Sequence, residues 1–220
     1  VGYQQTDFLQ KLFIPLEHGN DFMFNLQYSS STSINRFDKL TERKDGDLRF
    51  AEWYYGPQDR FLLSTQFNIK ADKKLLDRGT FTAAYQNIKE SRINRKFGIL
   101  DRSSQFEKVQ VVSLNGDFTK NLNPKVNRDF GYGFEIAYND VNSTSKGEVL
   151  DVVGDRIVGV EDNYVVQTRY PDGGSSYLSS AIYASYRQDF GRKSTLNTGL
   201  RLTNTMLAAK WIDTTYIKLP

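Results

Sequence analysis

The chain has no cysteine among its 220 residues, which rules out disulfides and thiolate metal sites. Its single histidine is His18. With one imidazole and no thiol, nucleophile–base pairs have almost nothing to draw on, so no enzyme activity is expected. No stretch comes near the ~18 consecutive apolar residues of a transmembrane helix. Excess charge of one sign is also missing: 29 Lys and Arg against 26 Asp and Glu leave a net +3. No basic block has the density of a nucleic-acid surface, so no nucleic-acid partner is expected. The opening VGYQQTDFLQ has no basic segment followed by an apolar run. The expectation is a chain that is not exported, or one that is mature or a piece.

What is present is aromatic and alternating. Tyr (13) and Phe (15) dominate an aromatic share of 14%. Mean hydropathy is only −0.55. A transmembrane barrel hides its polar half inside, so a low mean does not argue against membrane strands. In FGYGFEIAYND, Phe130, Tyr132, Phe134, Ile136 and Tyr138 alternate with Gly131, Gly133, Glu135, Ala137 and Asn139. Period-2 segments of this kind fall at 6–14, 21–29, 60–70, 80–90, 107–118, 130–142, 178–190 and 195–206. In the first, Lys11 is placed on the polar side, because a charge on an apolar face is costly.

The segments run to roughly 9–13 residues, against ~5–6 for an ordinary strand and ~9–11 for a tilted strand crossing a bilayer. The links between them alternate short and long: 15–20, 30–59, 71–79, 91–106, 119–129, 143–177 and 191–194. If each strand pairs with the next, short turns collect at one end and long loops at the other, as in outer-membrane barrels. Phe22, Phe118, Phe130 and Phe190 then lie near the short-turn end. Tyr28, Phe61, Tyr85 and Tyr138 lie near the long-loop end, as two interfacial belts. The expected fold is all-β, an antiparallel up-and-down transmembrane β-barrel. Residues 1–220 supply about eight strands of a larger barrel, with long extracellular loops at about 30–59, 91–106 and 143–177.

The ordered stretches RFDKLTE, LRFAEWYYGPQ, ESRINR, YGFEIAYNDVNST, RYPDGGS and LNTGLR resemble the barrel of TonB-dependent outer-membrane receptors, in the haem/haemoglobin-like branch of Bacteroidetes. The resemblance covers nearly the whole chain. It implies a barrel of about 22 strands, a plug domain of the same receptor inside it, and an outer-membrane location in a Gram-negative bacterium. It also implies import of a small-molecule chelate or haem, driven by the TonB–ExbB–ExbD system. No plug, TonB-box stretch or aromatic-ended final strand is recognised, so the chain is read as an internal piece of the barrel.

Candidate ligand-binding residues lie in the first long loop: Arg36, Asp38, Trp53, Tyr54 and Tyr55, with Lys39 beside them. Exposed aromatics with polar tips suit ligand contact. The alternative is a packed turn, Gly56-Pro57, with the aromatics as loop anchors. Glu135, Gln66, Asn115, Asp117 and Arg201 are expected on the lumen face. Arg92, Arg95, Lys96 and Arg102 form a basic run in the second loop, facing anionic chelates or lipid phosphates, or simply water. His18 lies in a short turn, out of reach of an external haem. Tyr164, Tyr170 and Tyr177 are the remaining haem-ligand types in a long loop. Glu161, Asp162 and Asp172 lack calcium-loop spacing, and neither a metal site nor a bound cofactor is assigned. Two other classes stay open: a soluble lipocalin-like eight-stranded barrel with its apolar face inward, and a small structural outer-membrane barrel. The small lumen-side residues Gly131, Gly133, Ala137, Ser64 and Ser113 favour a wider barrel.

Overall fold

The computed structural model describes residues 2–154 and 156–212. Thirteen strands follow in chain order: β1 (Gln5–Pro15), β2 (Asp21–Ser31), β3 (Ile34–Asn35), β4 (Arg43–Lys44), β5 (Asp47–Leu48), β6 (Phe50–Tyr55), β7 (Asp59–Lys70), β8 (Arg78–Lys96), β9 (Asp101–Asn123), β10 (Arg128–Val153), β11 (Arg156–Tyr164), β12 (Ser175–Phe190) and β13 (Ser194–Ala209). One short α-helix, α1, spans Phe37–Leu40, and single 3-10 turns lie at Glu17–Gly19 and Pro124–Val126. Eleven strands form one sheet, with the path β1-β2-β7-β8-β9-β10-β12-β13, each neighbour antiparallel to the last. The fold is therefore all-β and up-and-down. All eight segments of alternating hydrophobicity are strands of this path. The path is open: among the described residues β1 pairs only with β2, and β13 only with β12.

Registers fix the faces, because residues directly opposite in an antiparallel pair point to the same side. One row runs Leu12, Phe24, Thr65, Ala83, Leu114, Ile136, Ser180 and Asn204. A neighbouring row of the same face carries Phe22, Phe67, Phe81, Gly116, Phe134, Ile182 and Leu202. Both rows are uncharged. The other face carries Lys11, Asn25, Ser64, Ala84, Ser113, Ala137, Ser179 and Thr205 in one row, with Lys11 on the polar side as expected.

None of the described residues covers the apolar face. The buried apolar side chains among the described residues are Ile93, Leu150 and Ala181. Ile182 is 62% exposed and Leu200 79%. The accessible surface is 15170 Å², against about 10,300 Å² for a compact monomer of this mass by the usual surface scaling. The sheet is a single layer, and its stability has to come from whatever lies on its two sides.

Aromatic rings bound the apolar band. Toward the short turns, Phe22 stacks on Phe67 at 4.4 Å, Phe81 meets Phe118 edge-on at 5.0 Å, and Phe118 stacks on Tyr132 at 5.2 Å. The Tyr132 hydroxyl donates to the Leu75 carbonyl in the β7–β8 turn (3.2 Å). At the other limit Tyr28 pairs with Phe61, and Tyr85, Val112 and Tyr138 share one row. The Tyr85 hydroxyl accepts from Gln110 (2.8 Å). Each aromatic row thus turns its polar tips away from the band.

The short links are built as turns. His18, Gly19, Asn127 and Gly191 take positive φ there. Asp77 closes the β7–β8 turn: its carboxylate accepts from Lys120 (2.5 Å) and from the Asn121 amide (2.7 Å), and both bonds hold its pKa low.

The opposite end differs from the sequence expectation. Residues 91–106 are not a long loop. They extend β8 and β9, leaving 97–100 as the turn, so Arg92, Arg95 and Arg102 stand on paired strands. Residues 143–153 likewise belong to β10, which runs for 26 residues. The reason is that β pairing continues where hydrophobic alternation stops. Before Phe106 the strand reads backwards through Gln105, Ser104, Ser103 and Arg102, polar on both faces and invisible to a period-2 search. Above the band, β6 continues the line of β7 along β8, and β11 continues the line of β12 along β10. The result is a five-stranded extension, β6-β8-β9-β10-β11, standing beyond the apolar band.

Gly116 on the apolar face tests the packing. A Cβ there would lie 2.5 Å from the Phe134 ring and 3.1 Å from the Phe118 ring. Gly116→Val is expected to cost about 1–3 kcal/mol through overpacking. Thermal unfolding monitored by circular dichroism checks this. An unchanged midpoint would contradict the packing described.

Candidate functional site

The sequence candidates converge at the base of the extension. β3 pairs with β6, setting Ile34 opposite Tyr55 and Asn35 opposite Tyr54. The Arg36 amide then donates to the Trp53 carbonyl (2.9 Å), and α1 begins at once. This places the Arg36 guanidinium over the Trp53 ring (4.8 Å) and the Tyr55 ring (5.5 Å). It donates to both oxygens of Asp38 (2.7 and 2.6 Å) and to the Tyr55 hydroxyl (2.7 Å). Trp53 and Tyr55 meet edge-on at 5.0 Å. Lys39 is drawn off to Glu42, which also pairs with Arg49.

Arg36, Asp38, Trp53 and Tyr55 therefore form one cluster, and Tyr54 does not join it. Tyr55 is opposite Arg92 on β8, and Tyr54 is opposite Ile93. Arg92 shares the polar face of β8 with Thr82 and Gln86, so the cluster looks to the polar side of the sheet. Tyr54 points to the other side, among Glu52, Arg102 and Glu148, where burial raises its pKa.

Arg92 is the residue that sequence reasoning did not join to this group. Its guanidinium lies 5.5 Å from the Trp53 ring centre and 5.3 Å from that of Tyr55. The only signal in the sequence was its place in a basic run, which says nothing of the aromatics roughly forty residues earlier.

Other ion pairs hold the extension together. Arg95 pairs with Glu52 (3.2 Å) and Arg102 with Glu148 (2.7 Å); Glu148 also takes Lys146 (2.6 Å). Lys146 first, then Arg102, keep the Glu148 carboxyl below its ordinary range. Residues 165–172 cross the polar side of β9 and β10. Ser145 donates to the Val166 carbonyl (2.5 Å), Gln105 to that of Gln167 (2.8 Å), and Arg169 meets Glu107 at 3.4 Å. Burial pushes the Glu107 carboxyl up, and one of its oxygens has no partner. A cavity of about 520 Å³ lies between this strap and Ser143–Ser145. Tyr164 packs over Gly147 at the strap's start; Tyr170 lies under Arg169 and donates its amide to Ser143.

The expected lumen residues share the polar face. Arg201 pairs with Glu135, and the Tyr183 hydroxyl donates to Asp117 while its ring lies over Gly133. Gln66 donates to Asn68 (2.9 Å), which donates to Asp21 (2.7 Å). His18 lies beside Lys70 and Lys73 at the short-turn end, about 950 Å³ of open cleft lying between them and Lys120. Among the described residues no cluster of His, Cys, Asp and Glu is arranged to hold a metal ion. No helix there is long and apolar enough to cross a membrane.

A comparison with models of known protein families finds none that matches the chain, and a comparison with curated proteins finds no match.

The Arg36 bonds hold the Asp38 carboxyl at about 2, well below the ordinary value of about 3.9. Because the charged form is favoured, the stabilisation is in place above the ordinary carboxyl pKa and is lost as pH falls through about 2. Trp53 emission, read in a Trp211→Phe background as the difference from Asp38→Asn, is expected to stay flat from pH 7 to 4 and to change only below. A midpoint near 3.9 would contradict the pairing.

Proposed function

We propose that the chain is part of the wall of an outer-membrane transport receptor of the TonB-dependent class. One observation carries this reading: an uncharged apolar band spans eight strands, is bounded by aromatic rows, and is covered by none of the described residues. From Phe130 to Tyr138 the band is about nine residues long, the length with which a tilted strand crosses a bilayer (about 9–11 residues). Lipid hydrocarbon is the partner that fits such a face. Hydrocarbon accepts no unpaired backbone, so the open edges of β1 and β13 require further strands in a closed barrel.

The polar face then turns to a lumen. Its small residues, among them Gly131, Ser113 and Ala137, leave room for a plug domain of the same receptor rather than filling a narrow barrel. The extension stands beyond the outer surface, where a small-molecule ligand such as an iron chelate or haem is first met. The resemblance of the ordered sequence stretches supports the TonB-dependent class and its coupling to TonB–ExbB–ExbD. The cluster at Arg36, Asp38, Trp53 and Tyr55 supports ligand contact at the mouth.

Fractionation tests the reading. The protein is expected to sediment with outer membranes, to need detergent for extraction, and to have an intact mass several-fold above the 25.3 kDa of this chain. A 25.3 kDa protein soluble without detergent would contradict it. In the same preparation Ile182→Lys, mid-band on the apolar face, is expected to lower folding stability by about 2–4 kcal/mol. Ser113→Lys on the polar face should cost far less. Equal effects would place both faces in the same environment.

A further inference from the structure

The guanidinium groups of the extension balance almost completely. Arg36 has Asp38, Arg49 has Glu42, Arg95 has Glu52, Arg102 has Glu148 and Arg169 has Glu107. Among the described residues Arg156 of β11 is exposed and unpaired, and Arg92 is the half-buried exception: no carboxylate lies within ion-pair distance of it among them, and its guanidinium donates no hydrogen bond there. Its Nε is shut off from solvent without a partner, while its two terminal nitrogens remain open. Two acids share its face beyond ion-pair distance: Glu90, two residues along β8, and Glu107 of β9, which is engaged by Arg169 and also feels the Arg92 charge. Asp38 of the same cluster is taken up by both donors of Arg36.

A half-buried guanidinium with no acceptor in direct contact is under-satisfied until one closes on it. The side chain is not free to swing out to water, since Trp53 and Tyr55 hold its plane on the polar side of the sheet. A planar guanidinium fixed by aromatic rings, with terminal donors unused, is preorganised to grip two oxygens of an oxyanion. Arg36 adds positive charge beside it on the same two rings.

We propose that Arg92, held by Trp53 and Tyr55, binds an oxyanion: a carboxylate or phosphate group of the ligand that enters from the polar side of the extension. The assignment deepens the proposed function by naming the ligand's chemistry, and it rests on that reading for the direction of entry. Arg36 and Asp38 are positioning residues in this scheme; they fix the rings that aim Arg92.

Isothermal titration of the full-length protein in detergent, at constant ionic strength, tests the site. Citrate and inorganic phosphate are the two probes. Saturable binding of at least one is expected, and which one binds separates a carboxylate ligand from a phosphate ligand. Arg92→Gln should weaken that binding at least tenfold. Arg92→Lys, which keeps the charge but loses the fork, should weaken it several-fold with the fold intact by circular dichroism. No binding of either probe by the unmodified protein would overturn the site. Full-strength binding by Arg92→Gln, or by Arg92→Lys should the glutamine variant not fold, would overturn it as well. A membrane protein without oxyanion binding would lose only this site. A detergent-free soluble protein that binds through Arg92 would keep the site and lose the receptor reading.

Discussion

An apolar face that none of the described residues lies against is the constraint on which the rest of the structure depends. Each strand of the band contributes alternate residues to it, and register keeps them in line across eight strands. A slip of one residue in β2 would turn Phe22, Phe24, Leu26 and Tyr28 to the polar side together. The same requirement explains the turn chemistry. Left-handed residues such as His18 and Asn127, and the Asp77 carboxylate under β9, pin the hairpins at their short ends. Once the register is set, the polar face is set with it, and Arg201, Glu135, Tyr183 and Asp117 come together there.

Above the band the source of stability changes. The extension has few apolar contacts, with Ile93 and Leu150 buried, and is held by strand pairing and charge pairs. Exposed ion pairs contribute little, about 0–1 kcal/mol each. Glu148 and Glu107, however, are almost closed off from solvent, so removing their cations leaves a buried charge. The aromatic cluster stands at the junction of the two regimes. It locks the first long connection onto β8 through Arg36, Trp53, Tyr55 and Arg92, and so fixes what the polar side presents there.

The sequence was most legible where one face is apolar and the other polar. The alternation in 130–142 or 60–70 identifies both the strand and its sides, because half the residues must avoid water. The extension was illegible for the opposite reason. Arg102, Ser103, Ser104 and Gln105 pair as a strand on β8 and β10 while polar residues occupy both faces. β6 failed the same search through excess: FAEWYY places aromatics on both faces, Trp53 and Tyr55 to one side and Tyr54 to the other. Arg36, Asp38, Trp53 and Tyr55 were readable as a dense polar-aromatic loop. Their meeting with Arg92 was not, since it depends on a pairing between β6 and β8 that no local pattern encodes.

The most direct measurement follows from the absence of cysteine in this chain. Single cysteines at Leu114, Ile136 and Ile182, and at Ser113, Ala137 and Ala181, accept nitroxide spin labels in the full-length protein in native membranes. Collision rates with oxygen, which concentrates in hydrocarbon, and with a water-soluble nickel chelate then report which side each label faces. The account predicts high oxygen and low nickel accessibility at 114, 136 and 182, and the reverse at 113, 137 and 181. Uniform nickel accessibility on both faces, or the alternation with its sides exchanged, would contradict it.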